Sequence, residues 1–274
     1  MLALDKRRIV QFLTAFIYNG NLPGFVNGRI WQGNSKQLCV PGLNCYSCPG
    51  ALGACPIGSL QSFVSGVGLR FPFYVLGLLI LFGLLLGRLV CGWFCPFGLI
   101  QELLYKIPTP KIHKNTLTLK LTYLKYPIGI LFIIIIPLAF FAWEGVGIPA
   151  FCKFICPAGT LEAAIPLITL NADLRSSLGL LFGWKFLLML FTILISIFIY
   201  RPFCRFICPL GAWYGIYNKL SLFGIQVDKV KCNGCNHCIK VCKMDCQEVA
   251  DHECINCGEC LKVCPTKAIS FKKL

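Results

Sequence analysis

The sequence predicts an α-helical membrane domain, residues 1–226, followed by a small α+β domain, residues 227–274. Apolar residues make up 57% of the chain and charged residues only 14%, far from the averages of soluble proteins. The apolar residues fall into long runs, whereas the segment from Val227 onward is polar and rich in cysteine. This change of composition sets the predicted domain boundary.

Long apolar runs predict about four membrane-spanning segments. A helix needs about 20 apolar residues to cross a hydrocarbon core, and three runs approach or exceed that length, at residues 71–90, 126–143 and 178–200. A fourth run, residues 9–31, is interrupted by three asparagines and a proline, so we expect it to be weak, broken or re-entrant. No small-x-small cleavage site follows the basic residues near the start, which predicts an uncleaved first segment.

The distribution of charge predicts the orientation of these segments. Residues 88–125 contain six Lys or Arg and one acidic residue, whereas residues 143–185 contain three of each sign. Because cytoplasmic loops carry an excess of Lys and Arg, we expect residues 88–125 and both chain ends in the cytoplasm. The formal net charge of +15 is not arranged as a basic stripe with interleaved aromatic residues, so nucleic acid is not an expected partner.

Two runs of four cysteines near the C-terminal end have the spacing of a bacterial ferredoxin with two 4Fe–4S clusters. The runs are Cys232, Cys235, Cys238 and Cys242, and then Cys254, Cys257, Cys260 and Cys264 followed by Pro265. In such runs the fourth cysteine ligates the other cluster. The predicted ligands are therefore Cys232, Cys235, Cys238 and Cys264 for cluster 1, and Cys254, Cys257, Cys260 and Cys242 for cluster 2. Zinc is the alternative for paired cysteines, and Cys246 is an extra thiol with no assigned role.

A second cysteine pattern repeats within the apolar domain. Cys91/Cys95, Cys152/Cys156 and Cys204/Cys208 each form Cys-x3-Cys-Pro-x-Gly, and Cys48 to Cys55-Pro-Ile-Gly is a looser copy. Proline favours the first position of a helix, which predicts that the second cysteine is an N-cap residue. Free backbone N–H groups at that position stabilise a thiolate or a cluster sulfur.

The predicted topology groups these cysteines into two further sites. Cys91, Cys95, Cys204 and Cys208 follow segments that end on the cytoplasmic side, and they are candidate ligands of a third cluster. Cys48, Cys55, Cys152 and Cys156 are candidate ligands of a fourth cluster on the outer side, with Cys39 and Cys45 left without a role. A buried hydrophobic role for single cysteines, or a disulfide for the outer set, is the alternative.

Three charged residues near these motifs allow two interpretations each. Glu102 and Glu162 follow their Cys-Pro motifs at similar offsets and are either proton relays or solvated interfacial carboxylates. Lys185 lies in the third strong run, where it either serves a site or extends its amino group to the interface. We find no P-loop, dinucleotide fingerprint, nucleophile–base signature or haem-attachment motif.

The apolar runs, the motifs Cys91–Pro96 and Cys204–Pro209, and the segment Cys232–Pro265 together resemble NapH-type membrane polyferredoxins. They are also similar to the membrane parts of the nitrous-oxide-reductase regulator and of cytochrome-oxidase assembly ferredoxins. The resemblance implies four membrane helices, cytoplasmic cubanes, and electron transfer linked to quinol or to a redox partner. The Cys39–Cys48 segment and the Cys152 copy go beyond the two motifs of the best-known members.

We therefore expect an iron–sulfur electron carrier, or a subunit of an oxidoreductase system, in a prokaryotic cell membrane and in contact with its lipid. Two 4Fe–4S clusters, with one or two more in the membrane domain, would carry electrons from or to a cytoplasmic redox protein. The other partner would be quinone or an extracytoplasmic redox protein, for example a flavoprotein. In one alternative, the chain is a metal-ion or quinone reductase whose outer cysteines form the substrate site. In another, those cysteines form structural disulfides or a metal-chaperone site.

Overall fold

The computed structural model describes residues 2–64 and 72–272, and within them the chain is mostly helical. The helices are α1 (Leu2–Tyr18), α2 (Leu22–Asn27), α3 (Pro56–Val64), α4 (Phe73–Leu86), α5 (Leu89–Trp93), α6 (Pro96–Leu104), α7 (Thr116–Leu121), α8 (Lys125–Gly129), α9 (Ile136–Glu144), α10 (Ala150–Phe154), α11 (Pro157–Gly159), α12 (Ile165–Leu170), α13 (Ala172–Ser176), α14 (Leu180–Phe198), α15 (Pro202–Phe206), α16 (Pro209–Tyr217), α17 (His237–Val241) and α18 (Glu259–Val263). Two short strands, β1 (Ile225–Val227) and β2 (Ile269–Phe271), pair antiparallel with Ile225 opposite Phe271.

Two helical stretches are long and apolar enough to cross a membrane. The first is Thr116–Glu144, a 29-residue stretch that includes α7 to α9, and the second is α14, with 19 residues. At 1.5 Å per residue α14 is about 28 Å long, close to the thickness of a hydrocarbon core. Only 11% of the most apolar window of either stretch is buried inside the protein, so neither is the core helix of a soluble fold. These two stretches contain the predicted runs 126–143 and most of 178–200.

The prediction of four spanning segments is not supported. Helix α4 has only 14 residues and is about 21 Å long, because Gly87, with φ of 50°, ends it before Arg88. Residue 71, at the start of that predicted run, lies outside the described residues. Helix α1 stops at Tyr18 and the short α2 begins at Leu22, so residues 9–31 form no continuous span. The asparagines and the proline interrupt this run, as predicted.

Two π-helical segments lie directly before α9 and α12. They are Ile130–Ile135 and Thr160–Ala164, and each is followed within two residues by a proline, Pro137 or Pro166. A proline ring clashes with the carbonyl four residues earlier in an α-helix. The wider π turn relieves this clash and lets each apolar helix continue past its proline.

The C-terminal domain contains the same unit twice. Helices α17 and α18 each contain the third cysteine of a Cys-x2-Cys-x2-Cys run, and each is preceded by two residues of positive φ at matching places. These residues are Gly234 and Asn236 in the first loop and Asn256 and Gly258 in the second. Glycine and asparagine tolerate this left-handed conformation, which turns the loop back on itself around the thiols. β1 begins at Ile225, within two residues of the predicted boundary.

The apolar domain and the C-terminal domain share one core. Val90, Phe97 and Phe203 of the first belong to the same buried cluster as Met244 and Ile255 of the second. The backbone of Gly92 lies so close to the second domain that an added Cβ would be 2.1 Å from the Ile255 carbonyl oxygen. The cysteine loop of residues 254–260 is therefore packed directly against α5.

Candidate metal centres

The thiols of Cys242, Cys254, Cys257 and Cys260 lie close enough together to interact electrostatically. Cys254 is buried, and the other three are partly buried. Burial raises the pKa of Cys257 to about 12, and the neighbouring thiols add to that rise. Iron ligation would hold the buried Cys257 thiol in its deprotonated form. The structure brings together the four residues assigned to cluster 2.

Cys246 lies between two of these residues. Its side chain is 5% exposed and lies beside the thiols of Cys242 and Cys254, which raise its pKa. Sequence spacing gave this residue no role, because it stands outside both four-cysteine runs. Its position makes it a neighbour of the predicted cluster 2 rather than a surface thiol.

The residues assigned to cluster 1 are more open to solvent. Cys232 and Cys235 are exposed and Cys238 is partly buried, and these three interact with one another. Cys264 follows α18 as its C-cap residue, and its sulfur accepts a hydrogen bond of 3.3 Å from the Ala268 amide. That hydrogen bond and the Thr266 hydroxyl lower the pKa of the Cys264 thiol. This end of the domain is the more accessible one to a soluble partner.

The Cys-Pro-x-Gly motifs place their cysteines as predicted. Cys95, Cys156 and Cys208 are the N-cap residues of α6, α11 and α16, and Cys55 directly precedes Pro56 at the start of α3. None of the three N-cap thiols makes a standard capping hydrogen bond. The amide of the glycine three residues on nevertheless lies near each thiol and lowers its pKa, against the larger effect of burial.

Cys91, Cys95, Cys204 and Cys208 form one buried group, here called the inner site. Each side chain is between 5% and 7% exposed, and each thiol interacts electrostatically with others of the set. Cys204 also accepts a hydrogen bond of 3.1 Å from the Gln101 side-chain amide. Four buried thiols with N–H donors around them form a donor set typical of an iron–sulfur cluster.

Two buried arginines provide positive charge at the inner site. Arg88 lies close enough to the Cys91 thiol to interact with it electrostatically, and Arg201 packs against Gly98, 3.0 Å from the position of an added Cβ. Burial raises the pKa of the Cys91 thiol, and both guanidinium groups counteract part of that rise. The Nε atoms of Arg88 and Arg201 are buried without a hydrogen-bond partner among the described residues. They are donors available to an anionic group held by these thiols.

Glu102 neutralises part of this positive charge. It is 6% exposed, accepts two hydrogen bonds from Arg7 at 2.7 and 2.8 Å, and pairs with Arg201 at 2.7 Å. The Tyr200 hydroxyl also donates to it. Burial alone would raise the pKa of Glu102, but Arg201 and Arg7 outweigh burial and hold the pKa at about 2. The interpretation of Glu102 as a solvated interfacial carboxylate is therefore wrong, because its whole environment is protein.

The outer cysteines surround a cavity of about 1030 Å³, here called the outer cavity. Its lining includes Cys39, Cys45, Cys55, Cys152 and Cys156. The predicted set for the fourth cluster was Cys48, Cys55, Cys152 and Cys156. The structure brings the last three together but places Cys45, not Cys48, on the cavity wall. The parallel bridge of Cys39 with Ala54 closes residues 39–54 into a loop, in which the Cys48 side chain is 2% exposed and is not among the residues that line the cavity.

Neither thiol group has the arrangement of a single-ion site. Among residues 2–64 and 72–272, no three His, Cys, Asp or Glu side chains are placed to hold one metal ion. A tetrahedral zinc ion with bonds of about 2.3 Å requires sulfur atoms about 3.8 Å apart. A cubane binds each thiolate to a different iron, so its ligands are more widely spaced. All 19 cysteines are free thiols, which leaves them available as cluster ligands.

Sequence reasoning missed the structural role of several basic residues. Arg88 and Lys125 belong to the segment used to predict topology, and Arg201 and Arg205 had no predicted role, but each is at most 1% exposed and pairs with a buried carboxylate. Arg88 and Arg201 each stand three residues before the first cysteine of a motif, and this repeated spacing is a weak indication of a role at the thiols. Lys185 is also not merely interfacial, because its amino group donates to the Cys152 carbonyl oxygen at 3.1 Å and lines the outer cavity.

Comparison with known protein families identifies 4Fe–4S binding domains in this chain. A family described as a 4Fe-4S binding domain matches residues 67–115, 127–165 and 181–226, which contain the three full Cys-x3-Cys-Pro motifs. A second family with the same description matches residues 250–270. No solved structure matches the chain.

Several characterised and uncharacterised proteins are similar to this chain. An uncharacterized protein of Methanocaldococcus jannaschii is 28% identical over 70% of this chain and 72% of its own length. The methylamine utilization ferredoxin-type protein MauN of Methylobacillus flagellatus is 26% identical over 87% of this chain and 75% of its own length. The regulatory protein NosR of Stutzerimonas stutzeri is 29% identical over 62% of this chain, but only 21% of NosR is covered. These relatives support the ferredoxin-type resemblance, whereas the NapH-type assignment stays a prediction. The chain therefore carries 4Fe–4S binding domains of the ferredoxin type, both in its apolar domain and at its C-terminal end.

Proposed function

We propose that this protein is a membrane-bound iron–sulfur electron carrier. It passes electrons between a cytoplasmic redox protein, which docks at the exposed cluster 1 end, and quinone or an extracytoplasmic acceptor. The route begins at the two ferredoxin sites and continues to the inner site. When bound, the clusters supply one-electron redox chemistry, and the residues of the chain hold them, exclude water and set their charge environment.

The observation that carries this proposal is the position of Arg88. Its guanidinium group donates to the His252 carbonyl oxygen at 2.8 Å and pairs with Glu253 at 2.6 Å, directly before the cluster 2 ligand Cys254. The same group donates to the Cys204 carbonyl oxygen at 3.5 Å and interacts electrostatically with the Cys91 thiol. One side chain thus contacts both the ferredoxin loop and the inner site, so the two sites are separated by little more than its width.

Further contacts fix this short separation. The Asn218 side chain donates to the Cys254 carbonyl oxygen at 2.9 Å, and the Trp93 indole donates to the Asn256 carbonyl oxygen at 2.9 Å. Trp93 lies within the first Cys-x3-Cys motif. Preorganised contacts of this kind keep a cofactor pair at constant distance, which is the protein's contribution to electron transfer.

The outward faces of Thr116–Glu144 and α14 support a membrane location. These surfaces carry large exposed apolar side chains, among them Leu187, Phe191 and Leu194, which water would not favour. Lipid is the partner that such a surface fits. We propose that the ferredoxin-type domain lies on the cytoplasmic side, since its thiols need a reducing compartment.

Anaerobic purification in detergent followed by iron, zinc and acid-labile sulfide analysis tests the proposal. Two ferredoxin cubanes and a cubane at the inner site require about twelve irons per chain. Fewer than about eight irons in an intact, unoxidised preparation, or zinc in place of iron, would refute the electron-carrier function. Electron paramagnetic resonance of the reduced protein should show interacting spins, because the sites are adjacent.

The outer cavity favours a second candidate function, reduction of a small acceptor by the protein itself. Its volume of about 1030 Å³ is at the upper end of small-molecule pockets, and its lining includes no residue of the ferredoxin domain. A quinone or a metal ion that enters it would meet the outer thiols. Turnover of such an acceptor by the purified protein with a chemical electron donor, and its loss on filling the cavity by Ala164→Trp, would favour the reductase.

A further inference from the structure

Four thiols that do not belong to the inner site line the outer cavity. Cys45, Cys55, Cys152 and Cys156 interact with one another electrostatically, as the four inner thiols do. Cys55 and Cys156 are each followed by Pro-x-Gly and precede α3 and α11, just as Cys95 and Cys208 precede α6 and α16. The outer group is therefore built like the inner one, from two helix starts.

Close approaches bring the four outer side chains to one region. A Cβ added at Gly58 would lie 3.9 Å from the Cys152 sulfur and 4.0 Å from the Cys55 Cβ. A Cβ added at Gly159 would lie 3.7 Å from the Cys45 sulfur. At these distances an added Cβ would be in ordinary van der Waals contact with the sulfurs, so the two glycines that follow the Cys-Pro motifs adjoin the thiols.

The Cys45 segment is held in place from the opposite wall. Its backbone amide donates to Glu162 Oε2 at 2.7 Å, and Glu162 belongs to the helix start that follows Cys156. Lys185 and Lys36 line the same cavity and supply positive charge. The surroundings of the four thiols thus contain two cations, which favour an anionic cluster, together with the carboxyl group of Glu162.

We propose that Cys45, Cys55, Cys152 and Cys156 hold a second 4Fe–4S cluster of the apolar domain, and that Cys48 is not a ligand. This inference rests on the proposed electron-carrier function and extends it by one site. It replaces Cys48 of the sequence-based set with a residue that spacing did not favour, since Cys45 lies ten residues before Cys55 and belongs to no repeated motif.

The outer cluster would be a direct neighbour of the inner one. A Cβ added at Gly42 would lie 3.2 Å from the Cys95 Cα, and the Leu43 amide faces the Cys95 thiol. Cys45 is three residues from Gly42, so its Cα is at most about 16 Å from that of Cys95, given 3.8 Å between consecutive Cα atoms. One extended segment thus links the two sites.

Tyr214 occupies the space between the two sites. It is fully buried, its hydroxyl donates to the Pro41 carbonyl oxygen at 3.0 Å, and it interacts with Cys55 on one side and Cys91 on the other. A carrier with only an inner site would have to cross the rest of a hydrocarbon core of about 30 Å in one step. The outer site shortens that step and delivers the electron to a cavity open to an acceptor.

The test compares Cys45→Ser with Cys48→Ser, two variants that differ by three positions in one loop. The wild type, purified anaerobically as the full chain, should contain about sixteen irons, and Cys45→Ser should lose about four of them. Cys48→Ser should keep the wild-type iron and sulfide content. Cys152→Ser, on the opposite wall, should lose the same four irons, which guards against a folding defect specific to the loop, and size-exclusion elution checks that each variant stays intact.

The possible results distinguish failure of the outer cluster from failure of the electron-carrier function. Wild-type iron content in Cys45→Ser, equal losses in both loop variants, or about twelve irons in the wild type would overturn the outer cluster and leave the electron-carrier function standing. Fewer than about eight irons in the wild type would overturn the function itself. Electron paramagnetic resonance supplies an independent readout, since loss of the outer cluster should remove one set of spin–spin interactions while the ferredoxin signals persist.

Discussion

Glu253 is the residue on which docking of the ferredoxin-type domain most depends. Its carboxylate is 1% exposed and pairs with both Arg88 and Lys125, each of which is fully buried. Burial alone would raise the pKa of Glu253, but the two cations outweigh burial and lower it. The substitution Glu253→Gln keeps the shape of the side chain and removes the charge, leaving Arg88 and Lys125 without their carboxylate partner.

The expected cost is large. Breaking a buried ion pair by removing one partner costs about 3–5 kcal/mol, because an uncompensated charge remains in the protein interior. At about 1.4 kcal/mol for each factor of ten, the equilibrium between the docked and undocked states shifts toward the undocked state by a hundredfold to several thousandfold. The domain would stay docked in Glu253→Gln only if burial of the shared core stabilises the docked state by more than this cost of about 3–5 kcal/mol.

Hydrogen exchange of the intact protein in detergent measures this shift. Backbone amides of residues 251–256 should lose protection by about two orders of magnitude or more in Glu253→Gln, because they are sheltered by the docked interface. Glu248→Gln is the matched control, since Glu248 lies in the same segment but is exposed. Equal protection in the wild type and both variants would refute the view that this ion cluster holds the domains together.

Three further predictions concern the inner site and its interface. Gly92→Ala should destabilise the docked domain by about 1–3 kcal/mol, because the new Cβ would collide with the Ile255 carbonyl oxygen. Gly77 has open space around it, so Gly77→Ala should leave the stability unchanged. Thermal unfolding of the two variants tests this difference. Gln101→Leu removes the N–H donor to Cys204 and should lower the reduction potential of the inner site by tens of millivolts, about 59 mV for each 1.4 kcal/mol, in a redox titration; an unchanged potential contradicts this role. Because the pKa of Glu102 is lowered to about 2, its stabilisation is complete above the ordinary glutamate pKa and is lost as pH falls below it. Between pH 5 and 3, amide protection of α6 should fall more steeply in the wild type than in Glu102→Gln.

The cysteine spacing allowed much of this molecule to be predicted from the sequence. Cubane ligands come from a tight loop, so the pattern Cys254–Cys257–Cys260 is a local property that spacing alone can indicate. The Cys-Pro-x-Gly motif likewise predicts a helix start, because proline at the first helical position is a local preference, and Cys95 and Cys208 are indeed N-cap residues.

The membrane-spanning helices could be predicted only in part. Hydropathy found Thr116–Glu144 and α14, because a long apolar run exposed on most of its surface is a property of composition. It overestimated α4 and residues 9–31, since the ends of these helices are set by Gly87 and by the turn at residues 19–21 rather than by apolar content.

The sequence by itself determined the kind of chemistry, because thiol spacing, helix-start motifs and apolar composition are all local along the chain. Only the tertiary structure decided which residues lie together. It placed Cys45 rather than Cys48 at the outer cavity and buried Arg88 between the ferredoxin loop and the inner site. The physical reason is that contacts between residues more than a hundred positions apart depend on how the helices pack, and no local pattern records them. The same packing buries Arg88 and Arg201 in ion pairs with Glu253 and Glu102.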